Sequence, residues 1–169
     1  ISRGDARKVR ERLMKPWVMD IEANGFLEEV TKIHCAHFKT VDGKQEKTFT
    51  PDNISDLPEF LDTVDVLICH NVLMYDLPVI KKILGYEYKG KAIDTLVMSR
   101  VLNPKRQIPF HAKDKRQGPH TLYAWGVRVG VDKPDHSDWE NFSEDMLFRC
   151  KEDVEINRKT YLELLKESK

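Results

Sequence analysis

The sequence has few cysteines, no long apolar run and no excess of either charge, and each deficiency narrows the class of protein. Its 169 residues include three cysteines, which stand alone in apolar surroundings at Cys35, Cys69 and Cys150. Isolated cysteines of this kind are typical of small buried side chains in a reducing compartment, not of a disulfide framework. No apolar stretch approaches the roughly 20 residues of a membrane helix, so we expect no membrane partner.

The N-terminal segment also lacks the apolar region of an export signal. Residues 1–16 are rich in charge, and the spacing of Val9 and Leu13 fits a short helix or an arm that ends at Pro16. We therefore predict a cytoplasmic protein with a charged leading segment, followed by a single domain over 17–169.

The charge balance neither indicates nor excludes nucleic acid. The 28 basic and 28 acidic residues cancel, whereas a strongly basic chain would point to nucleic acid directly. A nuclease, however, can concentrate acid in its site and base around it. Hydrophobic content of 40% is that of an ordinary globular domain.

What is present is a run of β-like segments followed by alternating strands and helices. Segments 17–22, 31–39 and 45–50 predict an antiparallel meander, and the apolar run 65–69 predicts a buried parallel strand. This order predicts an α/β fold in which helices pack on a mixed sheet. The first two predicted helices span 57–64, capped by Ser55 or Asp56, and 76–84. A possible fifth strand at 92–96 leads into a third helix that ends at Val101. The last two helices span 120–129 and the segment from the Ser143 cap through Leu165.

Two acidic residues interrupt the first apolar strand. Asp20 and Glu22 are two positions apart, so strand alternation places both side chains on one face. Strand interiors disfavour acidic residues, and paired carboxylates repel each other unless a cation lies between them. A solvated edge strand is the alternative, but the apolar residues Trp17 to Met19 and Ile21 occupy both faces and favour a central strand. The pair therefore predicts a metal site.

Two further carboxylates stand where they can join this pair. Asp76 follows the C-terminal end of the predicted parallel strand, the end at which ligands bind in open α/β sheets. Asp153 borders the apolar stripe of the last helix. Singly, Asp76 fits a helix cap and Asp153 a solvated face. With Asp20 and Glu22 they predict a site for Mg²⁺ or Mn²⁺, and two such ions about 3.5–4 Å apart can hold the attacking and leaving oxygens of a phosphodiester.

Five blocks of the sequence, in order, resemble the proofreading exonuclease domain of family A DNA polymerases, above all those of podovirus-type bacteriophages. The likeness extends over about residues 17–165. It implies a DEDD exonuclease with a ribonuclease H-like fold and a mixed five-stranded sheet, which removes nucleotides from the 3′ end of single-stranded DNA during proofreading or other DNA processing. The blocks are 20–24, 70–76, 93–96, 120–126 and 152–154.

The resemblance also implies roles for individual residues. Asp20, Glu22 and Asp153 would contact the main metal ion, and Asp76 would help to hold a second, giving two Mg²⁺ or Mn²⁺ ions per site. The residues that fall where the family grips the terminal nucleotide are Ala23 and Asn24 (through their main chain), Phe26 or Leu27 as a wedge, Asn71 and Tyr75.

One position departs from the family pattern. Many members have a Tyr four residues before the third-motif Asp, or a His five before it, where the side chain orients the attacking water. Here those positions hold Arg149 and Phe148. Arginine is not a general base, but Arg149 shares a helix face with Asp153 and should reach the site, to bind a phosphate or pair with Asp153. Because positioned proton transfer contributes about 10²–10⁴-fold, we expect reduced but real activity.

The predicted loop 103–119 is the expected contact for the substrate strand. Its basic side chains are suited to neutralise phosphates, and Phe110 and His111 offer stacking surfaces, although a solvated flexible loop would have the same composition. The basic residues are Lys105, Arg106, Lys113, Lys115 and Arg116.

Two other functions remain open. An exonuclease-fold module that has lost catalysis would bind DNA or a polymerase, with Arg149 as the mark of decay, although all four carboxylates are retained. An exoribonuclease is the second alternative, because no motif reads the 2′-hydroxyl. The expected partners are 3′ ends of single-stranded DNA and a DNA polymerase, separate or fused. A phage origin would place the protein in the infected bacterial host.

Overall fold

A five-stranded mixed sheet organises the part of the chain that the structure, a computed structural model, describes, residues 15–169. The predicted leading helix or arm therefore lies outside the described residues. The strands run in the order β3-β2-β1-β4-β5, with β1 antiparallel to β2 and parallel to β4. Their bounds are β1 Trp17–Ala23, β2 Ile33–Thr40, β3 Glu46–Phe49, β4 Val66–Cys69 and β5 Lys91–Asp94.

Helices cover both faces of this sheet. Glycines in the left-handed conformation end two of them: Gly85 (φ 64°) and Gly130 (φ 74°). Ser143 caps the last helix by accepting a hydrogen bond from the Met146 amide. No helix of the described segment is both long and apolar enough to span a bilayer. The helices are α1 Leu57–Leu61, α2 Asp76–Leu84, α3 Thr95–Leu102, α4 Leu122–Val129 and α5 Glu144–Glu167.

The predicted fold class, the meander and the fifth strand are confirmed, with small changes of extent. The main difference is at α1, which ends at Leu61 instead of residue 64. The prediction of a side-chain cap there was wrong: Asp56 makes no capping hydrogen bond, because a 3₁₀ turn over Ile54–Asp56 leads directly into the helix. Pro58 fits this first turn, where its missing amide would have no partner.

Strand β1 is central and buried on both faces. Met19 and Ile21 point into the larger apolar core, together with Phe38 of β2 and Leu67 of β4. Val18, on the opposite face, packs with Ile68 and with Val154 of α5. Strand alternation therefore turns the side chains at positions 20 and 22 towards α5.

Close packing of α4 against α5 fixes where the loop after α4 begins. A Cβ atom on Gly126 would lie 2.8 Å from the Val131 carbonyl oxygen and 3.2 Å from Cδ1 of Ile156. The carbonyl of Gly126 in turn accepts a hydrogen bond of 3.0 Å from the Val131 amide. Only glycine permits this approach, so the loop leaves α4 directly above α5.

Replacing Gly126 by Ala should therefore destabilise the protein. We expect overpacking to lower the free energy of unfolding by about 1–3 kcal/mol. For a chain of this size, each kcal/mol lowers the melting temperature by about 2–4 °C. Thermal denaturation followed by circular dichroism measures this. Gly25→Ala is the matched control, because its new Cβ would meet nothing closer than 3.7 Å. Equal melting temperatures for the two variants would contradict the packing argument.

Candidate metal centre

Four carboxylates converge between β1, α2 and α5. Asp20 and Glu22 project from β1 towards α5, where Asp153 is 4% exposed. Asp76 begins α2, just beyond the C-terminal end of β4, and is 3% exposed. The negative charges of Glu22, Asp153 and Asp76 all act on Asp20, so the four groups share one site. The structure thus brings together the residues that the sequence analysis singled out.

This crowding opposes ionisation. Burial, followed by the neighbouring carboxylates, raises the pKa of Asp20 well above its usual value. Burial and then the charge of Asp153 raise the pKa of Glu22 to about 7. Burial likewise raises the pKa of Asp76 to about 7, although backbone hydrogen bonds from its own amide and that of Ile21 work in the other direction. The site therefore favours protonation unless positive charge is supplied.

Two carboxylate oxygens in the site lack any partner. Within the described residues, Oδ2 of Asp20 and Oδ1 of Asp153 are buried and accept no hydrogen bond. A buried acceptor without a partner is costly, and carboxylate oxygens are the ligands that Mg²⁺ and Mn²⁺ prefer. The donor set is therefore chemically suited to a divalent cation.

Two basic side chains reach the same carboxylates. The Nζ atom of Lys133, in the loop between α4 and α5, lies 2.7 Å from Oδ2 of Asp153. The Nε atom of Arg149 lies 3.7 Å from Oε1 of Glu22. Arg149 was predicted to reach the site, and it does, but its partner is Glu22 and not Asp153. Lys133 was missed, because a lone lysine in a polar loop gives no signal in a single sequence.

Cys150 is a further neighbour that the sequence did not reveal. Its Sγ atom lies within 4.8 Å of carboxylate oxygens of Asp20 and Glu22 and donates a hydrogen bond of 3.4 Å to the Asp20 carbonyl. Burial makes the largest contribution to raising the pKa of this thiol well above its usual value. Cys150 therefore acts as a buried thiol, as predicted for all three cysteines, which are free and buried.

The segment between β4 and α2 is held by a buried aspartate. Asp94, at the end of β5, accepts hydrogen bonds from the amides of Asn71 (3.0 Å) and Leu73 (3.3 Å) and also caps α3. Asn71 adopts a left-handed conformation with φ 67°. Asp94 therefore shapes the turn that carries Asn71 towards Asp76. The sequence block 93–96 contained this residue, but no role was assigned to it.

The predicted nucleotide-binding residues lie around the β1–β2 turn. Phe26 is 78% exposed, whereas Leu27 packs against the core, so only Phe26 is free to act as the wedge. The Asn24 side chain accepts hydrogen bonds from the amides of Thr31 and Lys32, the Asn24 amide donates to the Lys32 carbonyl at 3.3 Å, and Ala23 is buried. The Tyr75 hydroxyl donates to the Gly25 carbonyl at 2.8 Å and so joins this turn to α2.

One residue of the predicted basic loop is not available to a phosphate. Arg106 is 9% exposed, forms two hydrogen bonds with Glu167 and stacks on the ring of Trp125. The predicted phosphate contact is therefore wrong for Arg106, which ties the loop to the end of α5. Lys105, Lys113, Lys115 and Arg116 are exposed, although Arg116 is paired with Asp114.

A groove links this loop to the segment after β4. It has a volume of about 340 Å³, and its lining includes His70 and Asn71 on one side and Gln117 to Leu122 on the other. The exposed basic residues Lys113 and Lys115 immediately precede it. The groove thus extends from the basic loop to Asn71, five residues before Asp76.

Comparison with known proteins agrees with the motifs. The DNA-directed DNA polymerase of Escherichia phage T7 is 29% identical over an alignment of 187 positions that covers 88% of this chain and 26% of the polymerase. The polymerase of Enterobacteria phage T3 is 28% identical with the same coverage. The chain thus spans about a quarter of the length of these curated relatives. No family model matches the sequence.

Solved structures of exonucleases share the fold. Brucella melitensis NrnC with bound Mg²⁺ has a TM-score of 0.66 at 16% identity, over 91% of this chain and 73% of that one. Escherichia coli RNase D, described as an exoribonuclease involved in structured RNA processing, has a TM-score of 0.61 at 16% identity, over 98% of this chain and 43% of that one. The chain therefore has the ribonuclease H-like fold of the DEDD exonucleases. Its sequence is similar to the polymerases of T7-like phages, as the motifs predicted.

The raised pKa values predict a pH-dependent effect of Asp20→Asn. Groups whose pKa is raised on folding stabilise the protein below their unfolded pKa, near 4, and this contribution is lost as pH rises through the folded pKa, about 7 for Glu22 and Asp76. In the metal-free protein, removing one carboxylate should therefore raise the melting temperature by about 3–8 °C at pH 8 and much less at pH 5.

Differential scanning fluorimetry in EDTA, at both pH values, measures this difference. Asp52→Asn, at an exposed carboxylate, is the control and should shift the melting temperature little at either pH. If Asp20→Asn raises the melting temperature as much at pH 5 as at pH 8, carboxylate repulsion is not the cause of the stabilisation.

Proposed function

We propose that this protein is a divalent-cation-dependent 3′-to-5′ exonuclease that acts on single-stranded DNA. The observation that supports this most directly is the convergence of Asp20, Glu22, Asp76 and Asp153, where buried oxygens of Asp20 and Asp153 find no partner among the described residues. A site of this kind is unfavourable without a cation, and phosphodiester hydrolysis is the chemistry that such a carboxylate–cation site serves. The similarity to phage DNA polymerases favours DNA as the substrate.

Mg²⁺ or Mn²⁺ is the proposed cofactor. Bound here, it would supply Lewis-acid stabilisation of the phosphate and lower the pKa of a water molecule. Asp20, Glu22 and Asp153 would hold it through carboxylate oxygens, with Asp76 nearby. The family resemblance implies two such ions. Lys133 and Arg149 already offset part of the carboxylate charge, however, so the number bound by this chain depends on them.

The protein's own residues would orient the substrate. The exposed ring of Phe26 lies on the turn that Tyr75 ties to α2, and this placement suits a wedge against the terminal base. Asn71, held by Asp94, opens into the groove that leads to the basic loop. Arg149, at the position of the expected tyrosine, stays charged and does not act as a proton carrier. We therefore expect slow hydrolysis that depends on the cation.

An exoribonuclease remains the second candidate. The fold of Escherichia coli RNase D, an exoribonuclease, is as similar to this chain as that of several other nucleases. A catalytically weakened module that binds DNA or a polymerase is the third, motivated by Arg149. The phage relatives support a further proposal, that the protein works beside or within a DNA polymerase in the cytoplasm of an infected bacterium.

The substrate is tested with 5′-labelled single-stranded DNA and RNA of the same sequence. In Mg²⁺ or Mn²⁺ we expect a ladder that shortens from the 3′ end of DNA, lost in EDTA. Asp20→Ala should slow it by about 10²–10³-fold or more, because a metal ligand is removed. Gel electrophoresis of timed samples measures the rates.

Asp52→Ala is the matched control, an exposed aspartate outside the site. A ladder on RNA alone would assign the protein to the exoribonucleases. If the protein binds DNA but cleaves neither the DNA nor the RNA, the result would support the non-catalytic module and contradict the proposal.

The basic loop is tested through the salt dependence of binding. Each phosphate contact contributes about 0.7 to the slope of log K against log salt for a single strand, so Lys113→Ala with Lys115→Ala should reduce it by about 1.4. Fluorescence anisotropy with a labelled oligonucleotide in EDTA measures the slope. The control pair, Lys44→Ala with Lys47→Ala, removes two exposed lysines near the opposite edge of the sheet. Equal slopes for both pairs would remove the loop from the strand path.

A further inference from the structure

The carboxylate site contains two fixed positive charges of its own. Lys133 contacts Asp153 at 2.7 Å, and Arg149 approaches Glu22 at 3.7 Å. Both side chains are largely shielded from solvent, at 21% and 16% exposure, so their charges are weakly screened. They offset two of the four carboxylate charges, and a single divalent ion would offset the rest.

Lys133 is held in this position by the loop that carries it. The next residue, Pro134, accepts a hydrogen bond of 2.8 Å from NH1 of Arg149. The Arg149 guanidinium also stacks 4.9 Å from the ring centre of Trp139, in the same loop. The Trp139 carbonyl accepts a hydrogen bond of 2.7 Å from His34 on β2. The ammonium group is therefore built into the site by several contacts.

Lys133 and backbone amides already take up part of the carboxylate ligand set. Among the fully buried oxygens of the site carboxylates in the described part of the chain, Oδ2 of Asp20 and Oδ1 of Asp153 have no hydrogen-bond partner. The other oxygen of Asp153 is taken by Lys133. Asp76 receives backbone hydrogen bonds, including one from the Ile21 amide. The fully buried oxygens that remain open to a cation are therefore one on Asp20 and one on Asp153.

We propose that this protein binds one divalent cation and that the Lys133 ammonium takes the place of a second. Two ions about 3.5–4 Å apart would draw on all four carboxylates, and the Lys133 ammonium group already contacts one of them, Asp153, at 2.7 Å. Lys133 thus determines the metal stoichiometry. Arg149, at the position of the expected tyrosine, holds the loop that delivers Lys133.

This inference rests on the metal site of the proposed function but not on its substrate. It is tested on the full chain without nucleic acid, with Mn²⁺ as the probe, so its outcome is independent of any cleavage assay. Isothermal titration calorimetry at pH 8 gives the number of ions per chain. Electron paramagnetic resonance shows whether bound Mn²⁺ ions are isolated or spin-coupled as a close pair.

We expect the wild-type protein to bind about one Mn²⁺, with the spectrum of an isolated ion, and Lys133→Met to bind about two as a coupled pair. Lys133→Arg keeps the charge and should still bind about one. The control Lys81→Met removes an exposed lysine paired with Glu87 at 3.8 Å and should leave the count unchanged.

Two coupled Mn²⁺ ions in the wild-type protein would overturn the proposal, even if exonuclease activity is found. A count of about one in Lys133→Met, with its fold retained by circular dichroism, would overturn the role of Lys133. If Lys133→Met does not fold, the number of Mn²⁺ ions bound by the wild-type protein and by Lys133→Arg still tests the proposal. A coupled pair of ions in either protein would contradict the idea that the charge at residue 133 replaces an ion.

Discussion

Repulsion among four carboxylates, gathered on one covered face of a sheet, is the interaction to which the rest of the site responds. Burial denies these groups the water that would otherwise solvate their charge, and it raises the pKa of Glu22 and of Asp76 to about 7. This negative charge is partly offset by backbone amides at Asp76, by Lys133 at Asp153 and by Arg149 at Glu22. Within residues 15–169, one buried oxygen of Asp20 and one of Asp153 have no hydrogen-bond partner.

The loop between α4 and α5 connects this electrostatic arrangement to the fold. Its start is fixed by the close approach of Gly126 to Val131, and its middle by Arg149, which bonds Pro134 and stacks on Trp139. Arg149, at the position of the family's water-orienting tyrosine, thus has a structural role. Arg149 fastens the loop that bears Lys133, and a fixed positive charge therefore lies beside Asp153.

Much of the architecture followed from local pattern. Apolar residues on both faces of β1 predicted a central strand, and alternation predicted that Asp20 and Glu22 share a face, because side chains of a strand alternate regardless of what surrounds it. The ends of elements were less accurate. Helix α1 ends at Leu61 because the amides of Thr63 and Val64 bond to carbonyls three residues back, and a 3₁₀ turn precedes it where a side-chain cap was expected. Arg106 was misassigned because a basic residue in a loop has the same sequence signature whether it faces a phosphate or a distant glutamate.

The sequence by itself determined the order of strands and helices, the four carboxylates and the family they resemble, because these depend on residue type and on spacing along the chain. The tertiary structure decided which charges meet. Lys133 lies 20 residues from Asp153 in sequence yet contacts it at 2.7 Å, and Cys150 and Asp94 join the site only through packing. Such contacts depend on distances through space between separate elements, and a single sequence does not contain those distances.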